Sequence, residues 1–167
     1  EGLADVLHAA VKEDPKKFTD EIDALLAVDY FYLHRILRGL KDAWNTNKDL
    51  DWSKVFDFSL KYFGRGKEAI LKDALHAQGE DSGKGRYIWI VEDILELLGD
   101  GSENDKRAFP QEYFDKVEQI FSLILPLLKG EEHPDTQRDA LTYALNTTLG
   151  RTISAYISFS LHIRRIT

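Results

Sequence analysis

The chain has 167 residues, of which 43% are hydrophobic and 31% are charged, and its formal net charge is −7. This composition is too apolar for a disordered protein, and the length suits one compact domain or a short stack of helical hairpins. The acidic balance argues against nonspecific binding to nucleic acid. Cysteine is absent from the sequence, which excludes disulfides and thiolate zinc sites and is compatible with a cytoplasmic protein.

The longest apolar run, residues 120–128, is too short to cross a membrane. It contains Pro126 and has about half of the twenty or so residues that a bilayer span requires. We therefore predict no membrane segment and interpret this run as part of a buried helix.

The N-terminal stretch predicts two short helices separated at Pro15, because proline disrupts a helix interior. Apolar residues recur at steps of three and four on both sides of this break. They are Leu3, Val6, Leu7 and Ala10 before it, and Phe18, Ile22, Leu25 and Leu26 after it.

Two stronger helical patterns follow and predict a first long hairpin. The stripes are Tyr30, Leu33, Leu37, Leu40 and Trp44, then Trp52, Val55, Phe56, Leu60 and Phe63. Asp51 is placed to cap the second helix, and residues 45–49 are predicted to form the turn. Helices of this length with a short connection are expected to pack antiparallel.

The same kind of pattern predicts a second hairpin. Its stripes are Tyr87, Ile90, Val91, Ile94, Leu95 and Leu98, then Phe114, Val117, Phe121, Ile124 and Leu128. The connection, residues 99–109, is polar and is predicted to be a loop. Pro110 suits the first turn of the helix that follows.

The C-terminal stretch alternates apolar and polar residues, which is typical of a β-strand. The apolar set is Ile153, Ala155, Ile157, Phe159, Leu161 and Ile163. No second convincing strand occurs in the sequence, and a lone strand would leave its backbone groups without hydrogen bonds. We therefore predict a helix here, preceded by another helix over residues 136–147.

Together these patterns predict an all-α fold, an irregular array of about eight helices arranged as antiparallel hairpins. The array is either an α-solenoid or a multi-helix bundle. We interpret residues 1–167 as a single all-helical domain. Because methionine is absent and the last predicted helix lacks a capping glycine, we expect a segment of a larger protein.

No motif for a metal, a nucleotide or nucleophilic catalysis is complete, so we predict no cofactor and no enzymatic activity. The stretch 79–84 has too few residues between its glycines for a phosphate-binding loop. The alternative is a metal-dependent hydrolase built on a helical bundle. It would use two Asp-x-x-His pairs, each on one helix face. These pairs are Asp5 with His8 and Asp73 with His76.

Aromatic and basic residues between the predicted helices are the candidates for binding a protein partner. They are Trp44, Trp52, Arg65, Lys67, Arg86 and Arg151. The two indoles are more typical of a hairpin core than of a contact site, and the basic residues are more typical of solvated surface. If the basic residues meet on one face, nucleic-acid binding is a third possibility, which the net charge disfavours.

Three stretches carry a resemblance to a known class of protein: residues 37–44 leading into 50–55, residues 90–98, and residues 139–151. On these residues the chain resembles the helical, HEAT-like region of large multidomain bacterial proteins. In such proteins this region lies downstream of an NTPase, nuclease or sensor module, and some are linked to defence against phage. The resemblance implies that any enzymatic activity belongs to other parts of the protein.

The leading hypothesis is a noncatalytic helical segment that binds protein or positions neighbouring domains. Stacked hairpins need neighbours to cover their terminal faces. We therefore expect apolar surface at one or both ends of the array.

Overall fold

The computed structural model of the protein describes residues 2–76, 87–103, 107–128 and 147–166, without the side chains of residues 73–76 and 87–88. These residues form helices and no strand, which confirms the predicted all-α class. The α-helices are α1 (Leu3–Glu13), α2 (Pro15–Asp20), α3 (Tyr30–Asn45), α4 (Trp52–Gly64), α5 (Lys67–His76), α6 (Tyr87–Glu103), α7 (Phe114–Ile124) and α8 (Thr148–Ile166). Short 3₁₀ helices cover Ile22–Ala27, Gln111–Tyr113 and Leu125–Leu128. The helix predicted over residues 136–147 lies almost wholly outside the described residues.

Carboxylate side chains fix the starts of three helices, as the sequence predicted for Asp51. At the start of α3, the Asp29 carboxylate accepts a hydrogen bond from the backbone N–H of Phe31 at 2.9 Å. The Asp51 carboxylate accepts a hydrogen bond from the backbone N–H of Lys54 at 3.3 Å. Asp14 accepts one from the backbone N–H of Lys17, also at 3.3 Å, and Pro15 begins α2. Each bond satisfies an amide that has no partner within its helix. The predicted break at Pro15 is therefore confirmed.

Two other boundaries follow from local sequence. The stripe predicted over residues 18–26 is divided between α2 and the 3₁₀ helix Ile22–Ala27. Downstream, α4 ends at Gly64, and Gly66 has a φ of 82°. This is the left-handed conformation expected after the helix, since glycine has no Cβ to clash with the backbone.

The helices lie in two rows, because alternate helices along the chain pack against one another. In the first row α3 packs between α1 and α6, and α6 packs against α8. The second row runs from the 3₁₀ helix Ile22–Ala27 through α4 to α7. Although α3 and α4 are consecutive, their backbones approach each other less closely than those of α3 and α6. Each predicted hairpin therefore contributes one helix to each row.

Small residues allow the helices of the first row to approach closely. A Cβ added at Gly39 of α3 would lie 2.7 Å from the Val11 Cβ and 3.0 Å from the backbone oxygen of His8. At Gly99 of α6 the added Cβ would lie 4.0 Å from the Ala155 Cβ of α8, an ordinary van der Waals contact. Glycine inside a helix costs about 1 kcal/mol relative to alanine. The contact with α1 explains why position 39 nevertheless holds glycine.

Aromatic rings fill the space between the two rows, and Phe109 lies at their centre. Its side chain is fully buried. Its ring centroid is 5.1 Å from that of Phe56 in α4, 6.4 Å from Phe114 in α7 and 6.2 Å from Phe159 in α8. These are the offset and edge-on separations that aromatic pairs prefer. A connecting segment thus supplies the ring that joins three helices.

The prediction of a loop from residue 99 was wrong for residues 99–103, where α6 continues to Glu103. Contacts from α3 and α4 outweigh the low helix propensity of the two glycines in this stretch. Trp44 Nε1 donates a hydrogen bond to the Asp100 carbonyl at 3.1 Å. A Cβ added at Gly101 would lie 2.5 Å from Trp52 Cη2. Gly101 therefore admits the Trp52 ring against the helix.

The alternating C-terminal stretch is helical, as predicted, and forms α8. Successive residues of an α-helix are rotated by about 100°, so residues two positions apart lie on nearly opposite sides. Alternation of apolar and polar residues therefore gives α8 two apolar faces. Ala155 and Phe159 are buried against the fold, whereas Ile153 and Ile157 are exposed.

Candidate functional site

Two of the predicted binding residues, Trp44 and Trp52, lie in the core. The two residues are 5% and 6% exposed, and their rings meet edge to face with centroids 5.0 Å apart. Arg107 closes over Trp44, with its guanidinium carbon 4.1 Å from the ring centroid. Binding through these indoles stays a prediction, and a partner would have to displace core packing to reach them.

Arg65 and Lys67 lie close together in the sequence, at the junction of α4 and α5. The Arg65 guanidinium lies 4.5 Å from the Tyr62 ring centroid, and its Nε donates to the Tyr62 carbonyl at 3.3 Å. Lys67 begins α5, and Arg86 lies outside the described residues. Because both indoles are buried, the described members of the predicted set do not form one exposed surface.

The sixth candidate, Arg151, joins a charged network between α3, α6 and α8. Its Nη1 lies 2.7 Å from a carboxylate oxygen of Glu96 and 3.5 Å from one of Glu92. Lys41 of α3 also pairs with Glu96. Partly exposed ion pairs of this kind contribute at most about 1 kcal/mol each. The network therefore orients the side chains more than it stabilises the fold.

The first Asp-x-x-His pair does not act as a unit. His8 Nε2 lies 3.0 Å from Asp42 Oδ2 of α3, and Asp5 lies 3.8 Å from the Arg35 guanidinium. The side chains of Asp73 and His76 fall outside the described set. Among the side chains that are described, no group of three or more His, Asp or Glu is placed to hold a metal ion.

His34 of α3 and Asp93 of α6 form a buried pair that the sequence patterns did not predict. His34 Nδ1 lies 2.6 Å from Asp93 Oδ2, and the two side chains are 13% and 7% exposed. Burial raises the pKa of the Asp93 carboxyl, and the hydrogen bond with His34 opposes part of this rise. Asp93 is buried, although a carboxylate among the apolar residues of a helix usually faces solvent. The two partners are 59 positions apart, so no local spacing links them.

Exposed apolar side chains concentrate at the two ends of the first row. On α8 five residues between 44% and 53% exposed lie along one side, and we call them the end face. The end face consists of Leu149, Ile153, Tyr156, Ile157 and Leu161. At the other end, Leu3 and Val6 of α1 are exposed. This distribution agrees with the expectation of apolar surface at the ends of the array.

None of the described helices is both long enough and apolar enough to cross a membrane. Comparison with known proteins gave no match to a family model, to a curated protein or to a solved structure. The fold class and the surfaces above therefore carry the functional argument.

Proposed function

We propose that this chain is a noncatalytic helical scaffold that binds another protein through the end face of α8. The observation that supports the proposal is the row of large apolar side chains left exposed along that helix. Single exposed apolar residues are ordinary on protein surfaces, but a contiguous set is typical of an interaction site. The spacing of the set matches the stripe by which one helix packs on another.

The chemistry of α8 favours an amphipathic, acidic helix as the partner, either on another protein or in a neighbouring domain. The helix contains Arg151, Arg164 and Arg165 and no acidic residue. Arg164 lies in its last turn, is exposed, and contacts no carboxylate among the residues that the structure describes. A partner helix with an apolar stripe and carboxylates near its end would complement both features.

The two-row arrangement supports the solenoid form of this proposal. In an α-solenoid each repeat contributes one helix to each of two layers, and the terminal repeats need covering. Here α3 and α4, and again α6 and α7, divide between the rows in this way. As part of the same proposal, the chain is a HEAT-like segment of a cytoplasmic protein. The proposal assigns no catalytic residue and no cofactor.

Site-specific photo-crosslinking tests the proposed surface. A photo-reactive amino acid is placed at Ile153 or Ile157 of the end face, or at Glu118, an exposed position of α7, as the control. The chain is then irradiated in cells that contain its natural partners, and crosslinked peptides are identified by mass spectrometry. A second version of each protein carries Leu161→Asp, which places a charge within the end face.

The proposal expects positions 153 and 157 to crosslink to one amphipathic, acidic helical segment, and expects Leu161→Asp to abolish those products. The control position should give none of them. The same products at all three positions would contradict the proposal. Crosslinks that join two copies of this chain would assign the end face to self-association and would also contradict it.

A further inference from the structure

A polar cleft of about 420 Å³ opens between α3, α6 and α8, away from the end face residues. These three helices are neighbours in the first row. Its lining residues are His34, Arg38, Trp89, Glu92, Asp93, Glu96 and Arg151. The network around Arg151 therefore forms one wall of the cleft, and the His34–Asp93 pair forms another.

The pair holds His34 in one orientation. Nδ1 is committed to Asp93 at 2.6 Å, and the ring packs against Trp89 with centroids 4.9 Å apart. Because an ionised Asp93 is only an acceptor, Nδ1 carries a proton in this arrangement. Nε2 is then an acceptor in neutral His34 and a donor in protonated His34. It makes no hydrogen bond to any residue within the described part of the chain.

The charges that line the cleft are largely neutralised in pairs, with one exception. Glu92 and Glu96 pair with Arg151, and Glu96 also pairs with Lys41. Asp93 pairs with His34. Arg38 is the exception: it is exposed and acts on Asp93 only at longer range. No hydrogen bond or ion pair joins it to another described residue.

We propose that this cleft binds a small oxyanion, a carboxylate or a phosphate group, between the Arg38 guanidinium and His34 Nε2. The two residues are four positions apart on α3, so their side chains lie on the same helix face. Guanidinium presents a planar fork of donors that matches both oxyanions. The indole of Trp89, which also lines the cleft, favours a ligand that carries an aromatic group beside the anion.

The same geometry argues against a cation as the ligand. The carboxylates of the cleft already have basic partners, and the described residues supply no set of three metal ligands. An oxyanion instead completes the pairing of Arg38. In its protonated form His34 presents Nε2–H as a second donor.

The probes are phenyl phosphate and benzoate, with phenol as a neutral aromatic control. The chain has three tryptophans, so the indole N–H region of an NMR spectrum reports Trp89 beside the buried Trp44 and Trp52. Trp89→Phe assigns the signal. Titrations are repeated with Arg38→Gln, which removes the proposed anchor, and with Arg164→Gln, which removes an equal charge from an exposed site at the end of α8.

The proposal expects saturable movement of the Trp89 signal with one or both anions and no saturation with phenol. Arg38→Gln should weaken binding by roughly tenfold or more, as expected for the loss of a charge-assisted pair, while Arg164→Gln should not. Preference between the two probes distinguishes a phosphate site from a carboxylate site.

Two results would overturn the proposal. One is movement that does not saturate with either anion, and the other is equal weakening by the two arginine substitutions. Both arginines are exposed, so the fold should survive either change, and circular dichroism checks this. Because α8 end-face substitutions leave the cleft residues unchanged, the cleft and the proposed scaffold function are tested separately.

Discussion

Packing within the first row and packing between the two rows depend on opposite kinds of residue. Within the row, Gly39 leaves out side-chain volume, and α1 and α3 approach closely. Between the rows, Phe56, Phe109 and their neighbours add volume. Helix spacing in this fold is therefore set by side-chain size at a few positions. Substitutions at these positions should lower stability for opposite reasons, by removing volume between the rows or by adding it within the first row.

The largest effect is expected at Phe109. Phe109→Ala should lower the free energy of unfolding by about 3 to 5 kcal/mol, since it leaves a cavity among three helices. Chemical denaturation measures the change. Phe109→Leu keeps much of the volume and should cost less than half as much. Equal losses for the two variants would mean that ring volume does not determine the spacing of the rows.

The next effect concerns the glycine within the row. Gly39→Ala should cost about 1 to 3 kcal/mol, because its Cβ meets Val11 and the backbone of α1. Gly64→Ala is the matched control: nothing lies within 4 Å of the added Cβ. That change should stabilise the protein by about 0.5 to 1 kcal/mol. If both substitutions stabilise, α1 does not pack on α3 as described.

A third effect depends on pH and tests a polar contact within the same row. Burial raises the pKa of Asp93 above its ordinary value of 3.8. The native chain therefore keeps a proton that the unfolded chain releases as the pH rises through this window, so stability falls there. Asn cannot titrate. Wild-type stability should accordingly decline relative to Asp93→Asn from pH 3.8 upward, until the native carboxyl has also ionised. Denaturation experiments in which the wild type gains stability relative to Asp93→Asn as the pH rises through this window would contradict the prediction.

The smallest effect is expected on the end face. Ile153→Ser and Ile157→Ser should each change the free energy of unfolding by no more than about 0.5 kcal/mol, because both side chains are exposed. Phe159→Ser, on the buried face of the same helix, is the contrast and should be strongly destabilising. A large loss for the first two variants would show that the end face is part of the folded core.

The features that the sequence predicted correctly are those determined by neighbouring residues in the chain. Helical spacing, the cap at Asp51 and the break at Pro15 depend on neighbouring residues, and all were predicted from the sequence. The extension of α6 past Gly99 depends on Trp44 and Trp52, which approach from other helices. The His34–Asp93 pair likewise joins residues from different helices. Spacing along one chain carries no information about such contacts.

The buried Asp93 and the partly buried Glu96 could not have been chosen from composition. A carboxylate close to an apolar stripe looks like ordinary solvated charge until its partner is known. In the structure, Asp93 is buried and Glu96 is paired with Arg151. Of the predicted binding residues that the structure describes, only Arg151 lines the cleft. The cleft itself exists because α3, α6 and α8 are neighbours, which the hairpin prediction did not foresee.

The two apolar faces of α8 also have a consequence for the unfolded chain. In an extended conformation, side chains of residues two apart point the same way. Ile153, Ile157 and Phe159 would then lie on one face of a strand, although the helix buries Phe159 and leaves the other two exposed. Residues 152–163 contain no charge, no proline and no glycine, which is the composition of segments that stack into cross-β assemblies. Conditions that release α8 from the first row therefore expose a segment prone to aggregate, and the helical state is what keeps it harmless.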